Sequence, residues 1–529
     1  PGLSGELSYE IIRRSLDARK KPEIFYEYVL DVKIPKGVRL RFREDKTCFE
    51  VFPETYRFPY ENTVHTGERP VIAGFGPAGI FAALMLSRAG FRPVVLERGK
   101  NVEQRDIDVD TFWKTGILLP ESNVQFGEGG AGAYSDGKLN TLIKDRDGKN
   151  RFILKTLVSF GAPEEILYDH KPHIGTDLLK NVIRNIREEI IGLGGEVRFG
   201  EKLTDLKTEK GTDGGLLLKG VLSESSDGKR TELTDTAAAI LSVGHSARDT
   251  LLMLYERGVK MEARPFAVGL RVEHDRALVD KAQYGDAAMA NTLGAANYKL
   301  THRAADGRGV YTFCMCPGGY IVNASSEEGR LCVNGMSESK RDGIRSNSAV
   351  IVTVDPSDYS GYADPSFPPE LSGILFQRAL EEKAFLLGDG AVPVSSFREY
   401  REGKLLLSDE KLRSLSPMIR GNFSHAELFR LLPENLRADI IEGIEAFGRK
   451  IGGFSGDSVI LAGVESRTSS PVRMQRDGDL HSSIRGLFPS GEGAGYAGGI
   501  VSAASDGILA AEKLAAYLGG KPLSERTSG

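Results

Sequence analysis

Residues 71–99 read VIAGFGPAGIFAALMLSRAGFRPVVLERG, and no other segment says as much about the architecture. The apolar run Val71–Ala73 leads into Gly74, Gly76 and Gly79 in G-x-G-x-x-G spacing. Small and apolar residues at helical spacing follow as far as Gly90, a helix stop. A second apolar run, Pro93 to Leu96, closes on Glu97, 23 residues after the first glycine. The order is strand, tight turn, helix and second strand ending in a carboxylate. Glycine lets backbone approach a pyrophosphate, the helix N-terminus offers free N–H groups and positive dipole, and the acid accepts ribose hydroxyls. The same glycine spacing recurs at Gly127, Gly129 and Gly132, and at Gly493, Gly495 and Gly498, but without the frame. The first has no strand before it and no helix after it. The second precedes a helix, but too little chain follows for another strand with an acid. One dinucleotide half-site is expected, with two glycine-rich loops able to close around the same ligand.

Composition sets the outer bounds. A chain of 529 residues exceeds one ordinary core and predicts two or three domains. Hydrophobic content of 40% and charged content of 27% are those of a globular protein. A net charge of −4 gives no global case for nucleic acid or an anionic membrane. Cys48, Cys314, Cys316 and Cys332 form no disulfide framework and suggest a reducing, cytoplasmic setting. The longest apolar stretch starts at Val71 and contains the phosphate glycines, so no membrane span is expected. No signal-peptide pattern is read, and the first residue is Pro1 rather than Met.

Three units are predicted. Residues 1–66 read as a small N-terminal α+β module, with Tyr9–Leu16 helical and strands over Ile24–Ile34 and Cys48–Phe52. Its basic cluster, Arg13, Arg14, Arg19, Lys20 and Lys21, reads first as a solvated helix end. The segment Glu61–Pro70 is a linker. Residues 67–261 and 453–529 form a Rossmann-like α/β domain. Within it, a long glycine-rich loop runs to Lys149 and an amphipathic helix starts at Thr176. A three-stranded meander follows (Gly195–Phe199, Leu216–Leu222, Thr231–Leu233), then a strand over Ala238–Val243 and a last helix over Gly499–Leu518. Residues 262–452 read as an inserted mixed α+β substrate or cap domain. Its strands are expected near Phe266–Val272, Val310–Cys314, Tyr320–Asn323, Leu331–Val333 and Ala349–Val354, and its helices near Pro369–Leu387 and Arg437–Ile451.

The strand–meander–strand order and the closing Ser490-Gly491-Glu492 resemble the glutathione-reductase-type FAD-binding fold. More narrowly, the chain resembles a family of bacterial FAD-dependent dehydrogenases of uncertain substrate. The likeness rests on GFGPAG (74–79), NVQFGEGGAGAYSDGKL (123–139), KPHIGTD (171–177), GHSARDT (244–250), FAVGLRVEH (266–274), YTFCMCPGGYIVNASSE (311–327), VESRTSSPVR (464–473) and GEGAGYAGGIVSAASDG (491–507). It implies FAD, with Gly74, Gly76, Pro77, Ala78 and Gly79 on the pyrophosphate and Glu97 on the adenosine ribose. Arg98 and Arg105 would flank the adenylate or phosphates, and Leu203 and Gly244 would border the adenine. Gly129, Gly130, Ala131 and Lys138 would pass beside the flavin ring. Gly491 and Glu492 would meet the ribityl chain, and Gly498, Gly499 and Ile500 the ring's N1–C2 edge. Glu492 stands where many relatives carry Asp, one methylene shorter.

Flavin supplies redox chemistry, so the protein binds, orients and tunes it. The expected activity is an FAD-dependent oxidoreductase transferring a hydride between flavin N5 and an unidentified small organic substrate. NAD(P)H would be a transient electron donor, since no separate nicotinamide domain is read. Five residues are candidates for chemistry: Lys138, His173, Cys314, Cys316 and Arg467. Cys314-Met315-Cys316 could exchange electrons with flavin as a dithiol, or simply point two thiols into a core. His173 could move a proton or be a satisfied loop histidine; Pro172 inside the H-x-x-H spacing argues against a helical metal pair, and no metal is expected. Arg467 could bind an anionic substrate or pair with Glu465. Lys138 could stabilise reduced flavin or bond a loop carbonyl. A rival reading makes the protein an FAD-binding RNA-modifying or regulatory protein acting through the N-terminal module.

Overall fold

The computed structural model describes residues 8–34, 45–52, 55–61, 69–141, 145, 147–233, 236–519 and the backbone of 521–522. Most of the predicted linker therefore lies outside the described residues.

Val71–Ala73 is the middle strand of a five-stranded parallel sheet. The order is Leu487–Pro489, Ala239–Leu241, Val71–Ala73, Val94–Glu97 and Glu196–Phe199. Such strands are buried on both faces, so alternate residues must find two separate cores. They do. Ile72, Val95, Ile240 and Phe488 join a cluster with Ile80 and Leu84 from the helix Pro77–Arg88, Ile186 from Thr176–Gly192, and Ile508 from Ile500–Tyr517. Val71, Ala73, Val94, Leu96 and Leu241 join the opposite cluster with Leu203, Leu218 and Leu251. Two glycines of the fingerprint are obligatory here. Gly74 has φ +97, and a Cβ would stand 2.3 Å from the Ser242 carbonyl oxygen. A Cβ on Gly79 would stand 2.0 Å from the Gly74 carbonyl oxygen, so helix and strand pack only through bare backbone.

The second large sheet has seven strands. Its order is Thr301–Arg303, Gly309–Cys316, Arg345–Val354, Phe266–Asp275, Ile460–Glu465, Val392–Ser396 and Phe423–His425. The helices Ser372–Gly388 and Glu434–Gly448 contribute Phe376, Leu380, Ile440 and Ile444 to its core. Ile460–Glu465, expected within the returning segment, is a central strand of this sheet.

Four local expectations are corrected. Tyr9–Lys20 is a strand paired antiparallel with Glu23–Val32, where Tyr9–Leu16 had read as helix. Ile11, Ile12 and Leu16 satisfy helical spacing, but pairing across the Lys21-Pro22 turn overrides that local pattern. Among its described residues the N-terminal module is thus a β-ribbon with no helix, and Cys48–Phe52 forms no strand. The meander consists of Glu201–Lys210, Leu216–Ser225 and Arg230–Leu233, whereas Glu196–Phe199 belongs to the parallel sheet. The glycine-rich region before Lys149 holds a helix, Val102–Thr115. Of the basic cluster, Arg14 pairs with Asp169 at 2.7 Å and Arg19 with Asp17 at 2.6 Å.

One buried carboxyl makes stability depend on pH. Glu273 is 0% exposed; it accepts the Met418 amide at 3.0 Å, and Arg345 lies 3.7 Å away. Burial pushes its pKa up to about 8, against the pull of Arg345. The folded pKa lies above the unfolded one, so this group's contribution is fully present below about pH 4.5 and is lost as pH rises through about 8. Glu273→Gln mimics the protonated form. Its denaturant midpoint is expected to fall less than that of the parent between pH 6 and 9, with a relative gain on the order of 3 kcal/mol at the upper end. Parallel midpoint curves for the two proteins would refute this assignment.

Candidate functional site

A cleft of about 360 Å³ lies where the parallel sheet meets the seven-stranded sheet. From the expected set, Gly74, Gly76, Pro77, Ala78, Glu97, Arg98, Gly130, Ala131, Lys138, Leu203, Gly244, Gly491, Glu492, Gly498, Gly499 and Ile500 all line it. Both extra glycine loops therefore close on the same space as the fingerprint. The strand Gly309–Cys316 adds Phe313 and Cys314, Val333–Met336 adds Asn334, Ile460–Glu465 adds its last residue Glu465, and the stretch after it adds Arg467 and Thr468.

Glu97 is the hub of the dinucleotide end. Its carboxylate accepts the amides of Phe75 (2.8 Å), Gly99 (2.8 Å) and Gly127 (2.9 Å). Oε1 takes two of these and Oε2 one, leaving Oε2 an acceptor position for a hydroxyl. Arg98 is held by Glu121 and Asp249 at 2.7 and 2.8 Å. At the far end, Asp506 accepts the Gly491 amide at 2.8 Å and fixes that turn. The helix Ile500–Tyr517 opens with its N-terminus on the cleft, where no acidic side chain competes in its first turn.

Five expected contacts fall elsewhere. Arg105 is fully buried and donates to the carbonyls of Asn123, Val124, Glu128 and Gly130, so it braces the glycine loop from behind. The Gly129 amide bonds the Phe75 carbonyl at 2.8 Å and docks that loop on the first turn. Gly79 sits in the helix–strand contact. His173 and Cys316 are also absent from the cleft wall. His173 bridges by backbone to Lys138, and burial, then Arg341, lower its pKa to about 4.

The side facing the seven-stranded sheet is a set of buried ion pairs. Arg467 pairs with Glu381, with its Nη2 2.8 Å from the carboxylate, and not with Glu465. Glu381 also holds Arg248 at 2.8 Å and accepts the Ser466 hydroxyl at 2.7 Å. Glu465 instead takes both arms of Arg271, at 2.7 and 3.0 Å. Burial pushes the Glu465 carboxyl up, and Arg271 opposes it. Lys138 bonds the Met315 carbonyl and stands 3.5 Å from Asp136. Burial would raise the Asp136 carboxyl, but Lys138 and Arg341 hold it below the usual range. Sequence reasoning missed Asp136, Arg271 and Glu381. Asp136 lay in the quoted SDGKL motif and Arg271 in the quoted FAVGLRVEH; Glu381 sits in a helix with no local signal.

The residues present fit a dinucleotide. Gly244 and Gly498 have no atom within 4 Å of where a Cβ would stand, so the wall there is bare backbone facing open space. Ser242 Oγ and His245 Nε2 are buried on the same wall without a protein partner.

Residues 265–468 match the family described as FAD-dependent protein, C-terminal domain-like. An uncharacterized protein of Clostridium beijerinckii is 45% identical over 511 residues, covering 96% of this chain and 92% of that protein. The chain belongs to the family of that clostridial protein. The model that its residues 265–468 match is that of an FAD-dependent protein, which gives FAD as the cofactor. Solved structures overlap it more loosely. Glycerol-3-phosphate dehydrogenase from Bacillus halodurans complexed with FAD is 10% identical, covers 86% of this chain and 66% of its own, and gives a TM-score of 0.35. Glycine oxidase from Bacillus cereus is 11% identical, with 85% and 95% covered and a TM-score of 0.33. Among the described residues no helix is long and apolar enough to cross a membrane.

Proposed function

We propose that the chain is a flavin-linked dehydrogenase or reductase that passes a hydride between flavin N5 and a small organic substrate. One observation carries this reading: a single cleft joins a dinucleotide cradle to a reactive wall supplied by the other sheet. FAD, when bound, supplies the two-electron chemistry. Glu97 and the glycine turns bind its adenosine and pyrophosphate. The N-terminus of Ile500–Tyr517 favours negative charge at the opposite end. The substrate enters against Phe313, Cys314, Asn334 and Thr468. Arg467 is spent on Glu381 and Lys138 is shared with Asp136, so this wall suits a polar, uncharged substrate better than a free anion. A nicotinamide donor would dock transiently against this cleft.

An anaerobic visible spectrum with NADH or NADPH tests this. The oxidised-flavin band is expected to bleach within minutes of adding one of the two. A band unchanged by either would end the nicotinamide reading, and a protein that takes up no FAD would end the functional one.

A further inference from the structure

We propose that Cys314 and Cys316 form a redox-active dithiol that exchanges two electrons with the FAD bound in the cleft. The inference rests on the functional reading above for the place of the flavin, and otherwise on the local structure of one strand.

In a regular strand, residues two apart stand about 6.6 Å apart along the chain, near the limit for a disulfide. Gly309–Cys316 is not regular there. Its ladder with Arg345–Val354 pairs Phe313 with Ala349 and then Cys316 with Asn347, a register break spanning Cys314 and Met315. Cys314 takes φ +43, a left-handed conformation that costs a residue with a Cβ about 1 kcal/mol. This bulge brings Cys316 back against the backbone of Cys314. The Cys316 thiol donates to the Cys314 carbonyl oxygen at 3.3 Å. Two cations pin the bulge. Arg271 Nη1 donates to the Cys314 carbonyl at 2.8 Å and stands 3.9 Å from Cys316 Sγ, and Lys138 bonds the Met315 carbonyl.

The pair is also asymmetric in the way an exchanging dithiol requires. Cys314 lines the cleft, while Cys316 is 0% exposed. The Cys316 hydrogen bond, aided by Arg271 and Lys138 against burial, holds the Cys314 thiol well below its usual range; burial raises Cys316. Cys332 shows what a plain core cysteine looks like in this protein. It is buried, bonds the Ala324 carbonyl at 3.2 Å, and burial pushes it up to about 12.

The step balances without another reactant. Cys314 thiolate and Cys316 thiol give up two electrons and the Cys316 proton to oxidised FAD. The S–H bond of Cys316 breaks, the Cys314–Cys316 S–S bond forms, and the flavin becomes the anionic reduced form. In the reverse direction reduced FAD cleaves the disulfide.

The test is an anaerobic dithionite titration of the holoenzyme after diamide oxidation and desalting. The parent is expected to consume about four electrons per flavin, and Cys314→Ser and Cys316→Ser about two each. In parallel, flavin-free protein is alkylated with iodoacetamide at pH 6 and read by mass spectrometry. Cys314 is expected to react at least tenfold faster than exposed Cys48, and Cys332 to stay unmodified. A parent that takes about two electrons, with both thiols still alkylatable on denaturation after diamide, overturns the proposal. So does a Cys314 no faster than Cys48. Dithionite needs no nicotinamide site, so a protein that ignores NADH and NADPH fails the donor reading while this titration still decides the dithiol.

Discussion

Glu97→Ala is expected to weaken FAD binding by about a hundredfold or more, measured by flavin-fluorescence titration of the apoprotein. The carboxylate accepts three backbone amides from the first glycine turn, from Gly99 and from the second glycine loop, and keeps a position for a ribose hydroxyl. Bonds to a charged acceptor contribute roughly 1.5–3 kcal/mol each, so losing the ribose bond and slackening the loops exceeds about 3 kcal/mol, the equivalent of that factor. Glu97→Gln is the sharper variant. Both carboxylate oxygens face backbone N–H donors, so whichever site the amide nitrogen takes, a donor points at a donor. The isostere is therefore expected to lose nearly as much as alanine, and aspartate to recover only part. FAD bound by the glutamine variant within threefold of the parent would show that Glu97 acts by shape alone.

What could be read from the residues, and what could not, follows from how far apart cooperating groups lie in the chain. The phosphate cradle needs glycines, a helix start and an acid at fixed local spacing, and that spacing stands in residues 71–99. The helix Val102–Thr115 was missed because VEQRDIDVDTFWKT shows no broad apolar stripe. Its ends were marked, however, by Asn101, whose side chain caps Gln104, and by left-handed Gly116. The strand Glu201–Lys210 hid behind its charges. Only Leu203 and Leu206 of EKLTDLKTEK are buried apolar residues, and pairing with Leu216–Ser225 makes it a strand. The N-terminal ribbon failed the other way, since its local pattern favoured a helix that tertiary pairing overrode. Glu381 carried no signal at all. Its partners Arg248 and Arg467 are 133 and 86 residues away, a relation that only the fold supplies.

That distance is also why Glu381 matters so much for stability. Its fully buried carboxylate meets Arg248 from the helix Arg248–Glu256 beside the parallel sheet, and Arg467 from the stretch following the strand Ile460–Glu465 of the seven-stranded sheet. It thus ties the parallel-sheet side to the seven-stranded-sheet side at the edge of the cleft. Burial alone would raise this carboxyl, but Arg248 and Arg467 hold it far below the usual range. Glu381→Ala would leave two buried guanidiniums without their shared anion. Removing one partner of a buried pair costs about 3–5 kcal/mol, and here one deletion strands two cations. The melting midpoint is expected to fall by roughly 5–10 °C. Arg467→Met added to Glu381→Ala should recover part of the loss, because it removes one of the stranded charges. Arg467→Met alone should cost less than Glu381→Ala, since Arg248 then keeps its partner. A single Glu381→Ala variant that melts within 1 °C of the parent would mean that the cleft wall is held by the apolar core and not by this ion pair. The order of the three variants then decides whether charge or packing couples the two sheets that enclose the cleft.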